Sequence, residues 1–173
     1  MSVHEHKQAT PSSVTCQVIT ISDTRTEQTD KSGQLMIALL EENGFKVLDY
    51  KIVKDEEVSI EKAIREGCDH EEIDVVLTNG GTGIAKRDVT IEVVSKLVDK
   101  EIVGFGELFR MLSYTEDIGS AAILSRAIAG VSNDTAIFST PGSSGAVKLA
   151  MNKLILPELG HVVSEIKKDI KKV

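Results

Sequence analysis

Tryptophan is absent from the 173-residue chain, and its other aromatics are four phenylalanines and two tyrosines. So sparse a set offers single-stranded nucleic acid few rings to stack on. Positive charge is also short: 20 Lys plus Arg stand against 27 Asp plus Glu, a net charge of −7. Duplex binders draw much of their affinity from cations laid along phosphates, so nucleic acid is not expected as a partner. Cys16 and Cys68, the two cysteines, fit neither a zinc knuckle nor a redox C-x-x-C and are expected to be buried small hydrophobes. No stretch approaches the ~18 apolar residues of a membrane span, so no membrane association is expected. The segment Met1 to Thr10 lacks the apolar core of a secretion signal, which makes the cytoplasm the expected compartment. His4 and His6 look like a metal-binding pair, but on a polar tail chance accounts for them.

What is present is an ordinary globular composition, 41% hydrophobic and 27% charged. A chain of this length buries roughly 70% of its unfolded surface and needs no disulfide or structural metal. The pattern predicts a tail over 1–12 and a single domain over 13–173. Val14 to Ser22 is a β-branched apolar run, the mark of a strand buried on both faces. Ser32 is placed to cap a helix with the stripe Leu35, Met36, Leu39, Leu40, which stops at Asn43-Gly44. A strand near Phe45 to Val53, a helix with Ile60, Ala63 and Ile64 inward, and a strand from Ile73 to Thr78 follow. The next helix carries Ile91, Val94, Leu97 and Val98 on one face, and another carries Phe105, Leu108, Phe109 and Leu112. Ala127 to Val131 and Ala136 to Thr140 bracket Ser132-Asn133-Asp134, which reads as a hairpin turn. Two helices close the chain, one with Val147, Ala150, Met151 and Leu154, the other with Leu159, Val162, Val163, Ile166 and Ile170. Strands alternating with helices through short links predict a three-layer α/β/α fold with a mostly parallel sheet and a late β-hairpin.

Ligands of such sheets gather at the carboxyl ends of the strands. Three of those ends carry unusual loops: Ser22-Asp23, Thr78-Asn-Gly-Gly-Thr-Gly83 and Thr140-Pro-Gly-Ser-Ser144. Clustered glycines let successive backbone N–H groups turn toward one point and form an anion nest, and Lys86 and Arg87 add charge beside this one. The cluster is neither a Walker loop nor a dinucleotide fingerprint, because Lys86 stands where the third glycine should be. Several residues read two ways. Asp88 and Asp55 are each either helix N-caps or ligand-directed carboxylates. Glu107 and Arg110, three apart on a helix, either pair on the surface or face a cleft. Pro141-Gly142 is either a plain strand exit or part of a second anion site. No Ser-His-Asp or Cys-His set is apparent, and His70 and His161 have no assignable base role. That suits phosphate-on-phosphate chemistry, whose nucleophile is already an anion.

Thr78-Asn-Gly-Gly-Thr-Gly-Ile-Ala-Lys-Arg-Asp-Val-Thr90 resembles the T-x-G-G-T-G-x-x-x-R-D-x-T signature of the MoaB/MogA molybdopterin-binding family. Ile21-Ser-Asp23, Val53-Lys-Asp55, Gly104 to Ser113, Ser125 to Gly130 and Ser139-Thr-Pro-Gly-Ser143 match in the same order, over roughly residues 14 to 160. The resemblance implies a molybdopterin-binding α/β domain that assembles as a trimer or a hexamer. It also implies adenylylation of the pterin by Mg-ATP with release of pyrophosphate, in a pathway with other cofactor-biosynthesis proteins as possible partners. Carried over by position, Asp88, Asp55 and Arg87 are catalytic, and Asp55 and Asp88 hold Mg²⁺. Ser22, Asp23, Gly80, Gly81, Thr82, Gly83 and Lys86 take the nucleotide. Glu107, Arg110, Ser113, Pro141, Gly142 and Ser143 take the pterin. Lys54 replaces the proline of the V-P-D motif found in many transferase members, which groups the chain with B-type proteins. The alternative is a molybdopterin carrier or assembly module without turnover. A generic nucleotide binder is disfavoured by the missing dinucleotide fingerprint.

Overall fold

In the computed structural model, which describes residues 13–170, the run TCQVITI forms β1 (Thr15–Ile21), with every residue buried. Its side chains alternate between two apolar layers: Cys16 and Val18 enter one, Ile19 and Ile21 the other. The remaining strands are β2 (Lys46–Val53), β3 (Val75–Asn79), β4 (Lys100–Glu101), β5 (Ile128–Ser132) and β6 (Thr135–Thr140). They form a six-stranded sheet in the order β2-β1-β3-β6-β5-β4. The first four run parallel, and β5 lies antiparallel to both of its neighbours. The expected hairpin joins β5 to β6 through Asn133 and Asp134, both at positive φ (47° and 59°), the geometry of a tight two-residue turn.

Among the described residues six α-helices cover the sheet: α1 (Lys31–Glu42), α2 (Glu57–Cys68), α3 (Thr90–Leu97), α4 (Val103–Leu112), α5 (Ser144–Ala150) and α6 (Leu156–Lys167). One layer packs Met36, Leu40, Phe105, Phe109, Val147, Met151 and Leu159 against one face. The other packs Ile60, Ile64, Val93, Val94 and Leu97 against the opposite face. The fold is thus the three-layer arrangement that the pattern predicts. Burial pushes the thiols of both Cys16 and Cys68 up to about 12, as inert core residues require.

Several local expectations are corrected. Ser32 does not cap α1; Asp30 does, accepting the Gly33 N–H, and Ser32 is buried in the first turn. In α3 the inward residue is Val93, and Ile91 is only half-buried, because the helix starts at Thr90 and turns Thr90, Val93, Val94 and Leu97 to the sheet. A π-type turn over Met151–Ile155 adds a residue to one turn, so Ile155 rather than Leu154 enters the core. Leu108 and Ile170 are exposed despite their place in apolar stripes. Strand β4, a π-type turn at Ser113–Asp117 and a 3₁₀ segment at Gly119–Leu124 had no sequence signal. Among the described residues no helix is long and apolar enough to cross a membrane. The 1–12 tail with its His pair lies outside the described residues.

Candidate active site

Because β1, β2, β3 and β6 run the same way, their exit loops share one edge of the sheet. Gly80, at the exit of β3, donates its N–H to Thr140 O of β6 (3.0 Å), and a Cβ on it would lie 2.2 Å from Ile21 O of β1. Its φ of +101° is one that side-chain-bearing residues rarely adopt. The Pro141–Ser143 turn comes equally close: a Cβ on Gly142 would lie 3.0 Å from the Gly80 Cα. Only paired glycines let these two loops touch backbone to backbone.

The glycine loop is fastened by its carbonyls. Thr90 donates its N–H to Gly81 O and its hydroxyl to Gly80 O, each at 3.0 Å. Arg126, just before β5, donates to Thr82 O (2.9 Å), Gly83 O (2.7 Å) and Asp88 O (3.2 Å), and pairs with Glu92. The N–H groups of Gly81, Thr82 and Gly83, by contrast, have no protein acceptor among the described residues. With its acceptors tied back and three consecutive donors unspent, the loop is built to receive an anion.

Carboxylates gather around this loop. Asp55 approaches Gly81, on which a Cβ would lie 2.7 Å from its Oδ1, and the Asp55 N–H donates to Asp23 Oδ1 (3.2 Å). Asp23 also pairs with Arg87 (2.6 Å), so residues 64 apart in sequence meet at the rim. Burial pushes the Asp55 carboxyl above its ordinary value; nearby Asp23 and Asp88 push it further, with Arg87 opposing. Asp88 accepts from the Ala85 N–H (3.0 Å) and so closes the 85–88 turn. The N-cap alternative fails for both acids. Glu56 precedes α2 and Val89 precedes α3, and neither helix has a side-chain cap. Lys86 is exposed beside the loop, and Ser22, at the end of β1, accepts from the N–H groups of Thr24 and Arg25.

The residues expected on the pterin side divide. Gly142, in the turn between Pro141 and Ser143, stands against the glycine loop, and Ser143 caps α5 by accepting from the Ala146 N–H (3.1 Å). Glu107 and Arg110 are exposed on α4 and no ion pair joins them, so the surface-pair alternative fails. Ser113 is buried where α4 passes into its π-type turn. No hydrogen bond or ion pair links these three to the glycine loop or the Pro141–Ser143 turn among the described residues. The phenylalanines of α4 take the inward face, which turns Glu107 and Arg110 outward.

Two arginines were missed as site-builders. Arg126 lies in a segment that matched the family pattern, yet nothing local assigns its side chain to a loop 43 residues earlier. Arg25 stands two positions after Asp23 and reaches Gly142 O (2.7 Å) across 117 residues. Arg126→Lys removes the planar fork that spans three carbonyls and keeps the charge. The 81–88 segment then opens more often: proteolytic nicking there should quicken about tenfold, the equivalent of roughly 1.4 kcal/mol. Limited digestion with mass mapping checks this, and an unchanged cleavage rate would remove Arg126 from loop support.

A family profile described as a probable molybdopterin binding domain matches residues 17–161. Molybdenum cofactor biosynthesis protein B of Bacillus subtilis (strain 168) is 67% identical over 169 residues, covering 98% of this chain and 99% of that protein. A crystal structure of a molybdenum cofactor biosynthesis protein B matches with a TM-score of 0.89 at 66% identity, covering 91% of this chain and 98% of the other. The tungsten cofactor synthesizing protein MoaB from Pyrococcus furiosus matches with a TM-score of 0.82 at 39% identity, covering 91% and 99%.

Proposed function

Because the chain belongs to the MoaB/MogA molybdopterin-binding family, that of molybdenum cofactor biosynthesis protein B, we propose that the site at its glycine loop adenylylates molybdopterin with ATP. The observation that carries this reading is the run of unspent N–H groups at Gly81, Thr82 and Gly83 beside the Asp23, Asp55 and Asp88 carboxylates. In the reaction, a terminal phosphate oxygen of the pterin forms a bond to the α-phosphorus of ATP. The bond from that phosphorus to the bridging oxygen breaks, and pyrophosphate leaves with the electron pair. A phosphate monoester is largely dianionic near pH 7, its second pKa being about 6, so the nucleophile requires no base. The two described histidines are engaged elsewhere, His161 with Glu158 and His70 with the Glu72 N–H.

The glycine-loop amides hold the nucleotide phosphates, Ser22 and Asp23 border them, and Lys86 and Arg87 neutralise the departing charge. Pro141, Gly142 and Ser143 form the pterin side; Glu107, Arg110 and Ser113, which make no hydrogen bond or ion pair to that turn among the described residues, belong to it only by the family resemblance. The acid set suits Mg²⁺. The described residues hold no group of three metal-ligating side chains, but this ion is usually taken by one or two carboxylates together with substrate phosphates and water. Burial first, and then the neighbouring Asp23 and Asp88 carboxylates, disfavour the charged form of Asp55, and a divalent cation would relieve that. Asp55 and Asp88 would hold it, and it would supply charge neutralisation at the phosphates. The protein's own net charge of −7 repels both substrates only within about one Debye length, ~8 Å in physiological salt, so the local donors prevail.

Self-association into a trimer or hexamer is part of the proposal. Val103, Leu108, Met111, Tyr114, Ile123 and Leu124 leave an apolar strip exposed along α4 and the turns that follow. The deciding experiment supplies molybdopterin and Mg-ATP and follows pyrophosphate together with the mass of the adenylylated pterin. Both products appearing supports the transferase. Pterin binding with neither product makes the protein a carrier and overturns the proposal.

A further inference from the structure

Between the two anion-facing loops lies a side chain that neither loop contains. Arg25 leaves β1 and places its guanidinium under the Pro141–Ser143 turn: one terminal nitrogen donates to Gly142 O (2.7 Å), and the other faces Asp30 Oδ1 (3.3 Å) and the Ser32 hydroxyl. The anchor beneath it is rigid. The Asp30 side chain is fully buried and accepts from the Gly33 N–H (3.0 Å), the Tyr50 hydroxyl (2.6 Å) and the Ser32 hydroxyl (3.2 Å). Burial pushes its carboxyl up, but the hydrogen bonds from Thr20, Tyr50, Gly33 and Ser32 outweigh that and hold it below its ordinary value. It therefore stays a charged partner for Arg25 across the neutral range.

The same anchor supports the glycine loop. The Ser32 hydroxyl shares its one proton between Asp30 Oδ1 and the nearer Asn79 Oδ1 (2.9 Å), and the Asn79 amide donates to Thr20 (2.9 Å). Asn79 is fully buried and immediately precedes Gly80. One buried cluster, Asp30 with Ser32, thus supports the glycine loop through Asn79 and the opposite turn through Arg25. We propose that Arg25 is a positioning residue that sets the Pro141–Ser143 turn at a fixed distance from the glycine loop, and so determines how tightly the substrate on that side is held. Only a planar fork can reach Gly142 O and the Asp30–Ser32 pair together; a lysine ammonium is a single point of charge on a flexible stem.

The kinetic part of this inference rests on the transferase reading, and the exchange part does not. Arg25→Lys preserves charge and loses the fork. Amide exchange at Ala146 and Val147, whose N–H groups bond to Ser143 in the turn, should quicken at least fivefold, while Val18 and Leu77 in the central strands keep wild-type protection. In the pyrophosphate assay the KM for molybdopterin should rise about tenfold, with kcat changed less than threefold and the KM for ATP within twofold. Arg25→Gln serves as the second variant should the lysine form fold poorly. Unchanged exchange at Ala146 and Val147 overturns the proposal whatever the reaction proves to be. So does a loss confined to kcat. Faster exchange in a protein that releases no pyrophosphate upholds the positioning role and fails the transferase instead.

Discussion

Replacing Asp88 by Asn should cut adenylyl transfer about a hundredfold or more while molybdopterin affinity stays within tenfold of wild type. The substitution isolates charge from shape. Asp88 Oδ2 accepts the Ala85 N–H at 3.0 Å, and an Asn side-chain carbonyl can accept the same bond, so the 85–88 turn persists. What disappears is a negative charge at the rim beside Asp55. Removing one preorganised electrostatic group from a site of this kind costs on the order of 10²–10³ in kcat, or about 3–4 kcal/mol. The proposed pterin side, Pro141–Ser143, has no hydrogen bond with Asp88, which is why binding should survive. The measurement is a pair: pyrophosphate release under saturating Mg-ATP, and a fluorescence titration with the pterin. Full turnover in this variant would remove Asp88 from the chemistry.

Gly80→Ala should cost about 3 kcal/mol of stability and abolish nucleotide binding. A methyl group there points at a backbone oxygen, 2.2 Å from Ile21 O, and backbone has no rotamer by which to retreat. The residue also sits at φ +101°, where a non-glycine residue carries about 1–3 kcal/mol of strain, and forced overpacking adds a similar amount. In a domain of this size, 3 kcal/mol lowers the melting temperature by roughly 6–12 °C. Gly104→Ala is the control: nothing lies within 4 Å of its Cβ position, so a shift of less than about 0.5 kcal/mol is expected. Calorimetry on the two variants decides it. Equal melting temperatures would mean that the contact between β1 and the glycine loop is not tight in solution.

Where the expectations about the site failed, they failed for identifiable reasons. The cap assigned to Ser32, and the cap alternatives held open for Asp55 and Asp88, came from local preference alone, which cannot register that a carboxylate has a better use elsewhere. Asp30 displaced Ser32 because Tyr50 and Arg25 converge on it from β2 and from the loop after β1. Within otherwise correct faces, one inward position was misplaced in α3, where Val93 and not Ile91 is buried, and one in the α5–α6 segment, where Ile155 and not Leu154 is buried. A single shifted start and a single extra residue in a turn rotate a helix without altering its composition.

The residues in chain order were enough to determine the alternation of strands and helices, the turn at Asn133-Asp134 and the loops that could meet an anion. Those features follow from backbone preferences and apolar spacing within a few positions of each residue. Tertiary structure alone decided that Asp23, Asp55 and Asp88 share one rim, that Gly142 lies on Gly80, and that Arg126 and Arg25 hold the loops from behind. The reason is reach. A guanidinium selects its partners by distance and direction in the folded chain, here across 43 and 117 residues, and no local pattern encodes those vectors.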